Sequence, residues 1–331
     1  MFPPRRRPHA YSRWLSLFFG SLVLLSGCGR QTPTSPVAVN GYAFGASDRL
    51  APALQGAFFP LAIGNHWHAT SEFHFVIVPL QGPPLGEMTI HGDVARVLVG
   101  TETIFGRPYV VMEETTLESD LPPEESQPLT DWIRYRQDAT GLYEADVDIS
   151  TPPVFDGAER PAPLAGAANV GMQRNVTDRI MSSVPAEQVS AFASALERVR
   201  QKAEMVQSAF HRGVLPQGVR SGGLLSGEIT RLRYPLRPGA AWTIRPDPLF
   251  TASVEGVEAL DLPAGRFSSY RIRFDSEFFS SPDVVHIWVS RSGQLAFRYH
   301  FESNATDVDG NELGKAMTDY DEVVDEVALA R

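Results

Sequence analysis

Between residues 66 and 77 apolar and polar side chains alternate. Trp67, Phe73, Phe75 and Ile77 fall on one parity, and His66, His68, Thr70, Glu72 and His74 on the other. A period of two predicts a strand with one buried and one wet face, as in antiparallel sheets. The same alternation sets Tyr270, Ile272 and Phe274 against Arg271, Arg273 and Asp275. Thr140-Gly141 and Ser292-Gly293 break such runs and predict hairpin turns. One stretch has a different period. Val189, Phe192, Leu196, Val199, Ala203, Val206 and Phe210 are spaced by three and four, which makes a single apolar stripe on a helix. Pro185 suits its first turn and Gly213 its stop, so the helix is expected at about 185–212.

The strand-like blocks recur. Phe59-Pro60-Leu61-Ala62-Ile63-Gly64-Asn65-His66-Trp67 returns as Tyr234-Pro235-Leu236-Arg237-Pro238-Gly239-Ala240-Ala241-Trp242. Val99-Gly100-Thr101-Glu102 returns as Glu255-Gly256-Val257-Glu258, and Gly106-Arg107 with Tyr109 as Gly265-Arg266 with Tyr270. Trp132-Ile133 before Gly141-Leu142 matches Ile287-Trp288 before Gly293 and Leu295. Four matches in one order predict an internal duplication. The expected fold is mainly β (α+β): two related antiparallel β-sheet units, either separate or joined as one curved sheet, with an inserted amphipathic helix. The first unit spans 57–150, the insertion 151–230, and the second unit 231–331 with an acidic C-terminal tail. These blocks resemble a group of secreted bacterial β-domains that open with Pro-Leu-x-x-Gly-x-x-Trp and carry a Pro-Ala-Gly-x-Phe turn. The second copy carries that turn as Pro263-Ala264-Gly265-Arg266-Phe267; the first departs from it with Ile104-Phe105-Gly106. The resemblance implies a fold and no particular activity.

Residues 1–27 have the layout of a secretory signal. Arg5, Arg6, Arg7 and Arg13 precede an apolar run, Leu15 to Leu25, too short to span a bilayer comfortably. Leu25-Ser26-Gly27-Cys28 resembles the lipobox of bacterial lipoproteins at every position. That resemblance implies cleavage before Cys28, fatty acylation of its thiol and attachment to the cell envelope. With Gly29 rather than Asp after the cysteine, it implies the periplasmic side of an outer membrane in a two-membrane bacterium. Residues 28–56, rich in Pro, Ser, Thr, Ala and Gly, read as a tether reaching on the order of 30 Å.

Composition narrows the function. Residues 1–27 hold four of the 29 basic residues and none of the 39 acids, so the remainder carries a formal charge of −14. That excess speaks against nucleic acid and against anionic lipid headgroups as partners. Cys28 is the single cysteine, which excludes disulfides and a cysteine nucleophile from the body. Lysine occurs only at Lys202 and Lys315.

Candidate chemistry is sparse. His66 and His68 share one strand face at a spacing that suits two metal ligands, although a histidine-rich wet face is the simpler reading and no metal is expected. Asp307-Val308-Asp309-Gly310-Asn311-Glu312 offers oxygens at alternate positions but lacks the sixth-position glycine and the twelfth-position glutamate of a calcium loop, and reads more simply as a hairpin. Glu113-Glu114 and Glu124-Glu125 are acid pairs without a recognised hydrolase pattern. No Gly-x-Ser-x-Gly, His-Glu-x-x-His, phosphate-loop or dinucleotide pattern occurs, and nothing calls for a cofactor. The leading expectation is a membrane-anchored, non-enzymatic lipoprotein that binds an apolar ligand. Trp67, Phe73, Phe75 and Trp242 then serve as core or groove residues, and Phe192, Leu196 and Val199 as a lid. The alternatives are a component that docks an envelope protein and a hydrolase built on scattered acids.

Overall fold

The computed structural model describes residues 58–118, 120, 128–145, 147, 152–155, 181–210, 228–246 and 248–330. The signal, Cys28, the tether, Gly213 and Glu124-Glu125 lie outside them. The described strands are β1 (His66–Pro79), β2 (Gly86–Ile104), β3 (Arg107–Glu118), β4 (Leu129–Gln137), β5 (Gly141–Ala145), β6 (Glu228–Arg233), β7 (Ala241–Pro246), β8 (Leu249–Leu262), β9 (Gly265–Ser276), β10 (Val284–Ser290), β11 (Gly293–Thr306) and β12 (Glu312–Ala328). The long helix is α1 (Val189–Phe210).

All twelve strands form one antiparallel sheet in the order β6-β5-β4-β3-β2-β1-β12-β11-β10-β9-β8-β7. Except for β6 and β7, each strand pairs with its neighbours in the chain, and β1 also pairs with β12, from His66 opposite Ala328 to Pro79 opposite Gly314. The sheet is therefore a nearly closed barrel whose single break lies between β6 and β7. Across that break the Trp242 indole N–H donates to the Thr230 carbonyl at 3.2 Å.

Because the strands alternate in direction, their connections gather at two ends. The entry end receives residues 58–65, the C-terminus and the β2–β3, β4–β5, β6–β7, β8–β9 and β10–β11 connections. The remaining connections, and the segment carrying α1, lie at the far end. The β2–β3 turn is Phe105-Gly106, with φ of 52° and 73°. Positive φ at both central residues matches the right-handed twist of a tight hairpin. The β4–β5 turn is pinned by Asp138, whose carboxylate accepts from the Thr140 N–H at 2.7 Å.

The inner face of the sheet and α1 share one apolar core, containing Trp67, Phe75, Ile77, Val94, Ile133, Trp242, Ile272, Phe301, Phe192 and Val199. At the entry end residues 58–59 cross the mouth. The Phe58 ring meets Tyr270 edge-on at 5.1 Å, and Phe59 lies 5.8 Å from the Trp67 ring and 5.7 Å from Tyr135. At the far end α1 lies on the inner face of β11 and β12. The approach is close: a Cβ at Gly314 would stand 2.3 Å from the Val78 carbonyl oxygen and 3.1 Å from the Phe192 ring, and its φ of 150° also favours glycine.

Of the two expected arrangements the strands take the joined one, a single continuous sheet. Two expectations change. The acidic C-terminal segment is no tail but β12, a strand of 17 residues at the middle of the sheet. Its acids Asp319, Asp321 and Asp325 alternate outward while Ala316, Thr318, Tyr320, Glu322 and Val324 face in. The second concerns the insertion: β6 already begins at Glu228, inside the stretch expected to end at 230. The helix starts at Val189, because Pro185 sits in a preceding turn closed by the Gln188 N–H on its carbonyl.

Candidate functional site

The interior of the barrel gathers the residues expected to form a groove. Trp67 on β1 and Trp242 on β7 are buried near the entry end, and the Trp67 indole N–H donates to the Ser292 carbonyl at 2.5 Å. Phe75 is buried farther along β1, and Phe73 packs half-buried against the same cluster. Phe192, Leu196 and Val199 form the buried stripe of α1, with Phe192 and Val199 at 0% exposure. All seven therefore belong to one continuous apolar interior.

A cavity in that interior holds about 30 Å³ and is lined by Phe59, Tyr135, Leu142, Arg231, Leu232, Ile287, Val289 and Gln294. This is room for about two water molecules, not for an acyl chain. Much of the remaining space is taken by α1. Its polar contacts lie at the rim: the Lys202 ammonium donates to Asp283 at 2.6 Å and to the Glu302 carbonyl at 2.8 Å. The Arg198 guanidinium donates to the Ser303 hydroxyl at 2.7 Å and to the Asn304 carbonyl at 2.5 Å.

Buried ions complete the interior. The Arg96 guanidinium forks onto Glu322 at 2.7 and 2.9 Å and reaches Glu114 at 2.5 Å through Nε. Burial opposes its charge, yet Glu114 and Glu322 outweigh burial and hold it more basic than an ordinary arginine. The Tyr320 hydroxyl donates to Glu322 at 3.2 Å. Nearer the cavity Arg231 pairs with Glu144 at 2.5 Å, and burial raises the Tyr135 hydroxyl well above its ordinary range, with the Glu144 charge adding to the effect. The Tyr299 hydroxyl is buried and has no hydrogen-bond partner among the described residues. It sits in a stack between the Tyr320 and Phe301 rings, at 5.3 and 4.9 Å.

Sequence reasoning missed these ions, although a signal was present. Arg96 holds an inward position of β2 between buried Val94 and Leu98, so the alternation itself demands an internal acid. Of the acid pair Glu113-Glu114, only Glu114 faces inward, and it is engaged by Arg96.

The described histidines lie on the outer face, each beside a carboxylate. His66 Nε2 is 3.6 Å from Glu326, and His68 Nδ1 is 2.7 Å from Asp325 with Nε2 3.8 Å from Asp93. His74, Asp319 and His300 are cross-strand neighbours on β1, β12 and β11. Burial would lower the His300 pKa, but hydrogen bonds to Asp319 at 2.7 Å and Glu302 at 3.2 Å prevail and raise it. Among the described residues no group of three or more His, Cys, Asp and Glu is arranged to hold a metal ion. Asp307 belongs to the β11–β12 hairpin, where its carboxylate accepts from the Asp309 and Asn311 N–H groups at 2.9 and 2.8 Å.

No family model matches the chain, and no curated protein matches it. Among solved structures, a candidate lipoprotein of Parabacteroides distasonis covers 82% of this chain and 98% of its own, at 11% identity and a TM-score of 0.31. A candidate exported protein of Bacteroides fragilis with a YmcC-like fold covers 82% and 99%, at 9% identity and the same TM-score. Likeness at this level assigns neither fold nor function.

Proposed function

We propose that this chain is an exported lipoprotein, anchored through acylated Cys28, whose barrel takes an apolar chain when α1 swings out. The observation that carries the reading is the seat of α1. A barrel of eight strands is filled by side chains, and the enclosed volume grows with strand number. Twelve strands enclose more than their own inward side chains fill, and here a 22-residue helix with one apolar stripe occupies the difference. A ligand of similar width and apolarity substitutes for it at little cost in buried area. The anchor reading rests on the lipobox, and an outer-membrane, periplasm-facing location on Gly29.

We also propose that the barrel arose by duplication of a six-strand unit. In support, the recurring blocks fall on corresponding strands: Trp67 on β1 and Trp242 on β7, Trp132 on β4 and Trp288 on β10. Both β2 and β8 shift register at the matched glycines, between Leu98 and Gly100 and between Val254 and Gly256.

The test uses the soluble body beginning at Gly29. Lipids extracted with it are identified by mass spectrometry, and uptake of a fluorescent fatty acid is titrated. Uptake is expected, and Arg198→Ala with Lys202→Ala should strengthen it by loosening α1. A protein free of lipid, with no uptake in either form, refutes the ligand reading. The anchor has its own test. Cys28→Ser should release the full chain from membranes, and its retention there overturns acylation.

A further inference from the structure

The two ends of the sheet differ in charge. At the far end the short strand-to-strand connections hold Asp120, Glu277, Asp283, Asp307 and Asp309 and no described Arg or Lys, while the long β5–β6 connection carries Arg198, Arg200 and Lys202 on α1, with Lys202 paired to Asp283 and Arg200 to Glu197. At the entry end Arg233, Arg237 and Arg291 are exposed, and none has an ion pair or hydrogen bond among the described residues. The one acid in those described connections, Asp138, is already held by Arg136 at 2.7 Å. Leu232, next to Arg233, and Gln294, three residues past Arg291, line the same cavity, and Arg237 lies on the loop that follows β6. Arg233, Arg237 and Arg291 therefore lie on the strand end and connections of one end of the sheet. Ile63, 54% exposed, and Leu329, 43% exposed, stand at the same end.

We propose that this end of the body is a docking face for the anionic phospholipid headgroups of the membrane in which the chain is anchored. Two observations select that occupant. The chain between Cys28 and the described body joins it at Phe58, at this end. The proposal rests here on the anchor reading: about 30 residues separate Cys28 from Phe58, and a flexible chain of that length reaches on the order of 30 Å, so this end would meet the membrane first. The second observation is charge. The net charge of the whole chain speaks against anionic lipid, but the charges are segregated. The 14 residues of β1 span about 45 Å when extended. The far-end acids are thus many screening lengths of about 8 Å from a surface touched by the arginines. Unpaired arginines at a headgroup surface gain charge-assisted hydrogen bonds to phosphate.

This proposal goes beyond the ligand reading, and its test needs neither fatty-acid uptake nor an acylated Cys28. The soluble body from Gly29 is sedimented with vesicles of phosphatidylcholine alone or with 30% phosphatidylglycerol. Binding should require phosphatidylglycerol and weaken as salt rises from 20 to 150 mM. Arg233→Glu, Arg237→Glu and Arg291→Glu together should lower vesicle affinity by at least about 100-fold. Asp307→Asn with Asp309→Asn should leave it unchanged. Binding that ignores phosphatidylglycerol, or that survives the triple reversal, overturns the proposal. Displacement by an equal concentration of inorganic phosphate also overturns it, by revealing a free-anion site instead of a surface contact.

Discussion

Phe192→Ala asks whether α1 is a separable lid. Phe192 is at 0% exposure and packs over Gly314, so the substitution removes a buried ring and leaves a hole that rigid strands fill poorly. Large-to-alanine changes of this kind cost about 3–5 kcal/mol. If α1 detaches on its own, the cost falls on α1 opening rather than on the whole barrel. Each 1.4 kcal/mol is tenfold, so amide exchange in α1 should accelerate by about 10²- to 10⁴-fold. Amides of β2, β3, β8 and β9, away from the main seat of α1 on β11 and β12, should exchange as before. Native-state hydrogen exchange read by mass spectrometry separates the outcomes. Equal acceleration throughout the sheet makes α1 part of one cooperative core and refutes the lid.

Two further predictions concern charge. Arg96→Met strands Glu114 and Glu322 in the interior and should cost about 3–5 kcal/mol in urea unfolding. Adding Glu114→Leu and Glu322→Met should restore most of that, and no recovery would show that the cluster does more than neutralise itself. Glu228 is held below the usual carboxylate range, first by its hydrogen bonds from Arg136, against burial, and then by Tyr109. Its folded pKa being depressed, its stabilisation is complete above the unfolded value of about 4.3 and is lost as pH falls through the folded one. Between pH 5 and 3 the urea midpoint of the wild type should fall more steeply than that of Glu228→Gln; parallel curves contradict the assignment.

Local pattern exposed the local elements. The alternation around Trp67 and Tyr270, the hairpins at Gly141 and Gly293 and the stripe of α1 all rest on periods that one strand or helix carries by itself. Ring closure has no such signature. Nothing near Trp67 names its partner Val327, and β12 hid because its inward positions include Thr318 and Glu322. The interior ions hid for a related reason. Arg96 meets Glu322 across 226 positions, and only the closed sheet makes them neighbours. The candidate groove was legible as a set of apolar residues, but not as a space already occupied. Occupancy depends on where α1 lies, and an apolar stripe says only that it is covered.

The gap in the barrel lies between β6 and β7, and the chain's first and last strands are zipped together at the centre. Such a body cannot be finished by halves. From the moment β1 forms, one of its edges stays bare until the final 17-residue strand arrives, and a bare edge invites pairing with other chains. Synthesis thus leaves a long interval in which the nascent sheet needs protection. Truncation before residue 312 removes the middle of the sheet rather than its rim. The loop 234–240 is the natural place to reopen the polypeptide, because a permutant with its termini there would begin and end at an edge that already exists.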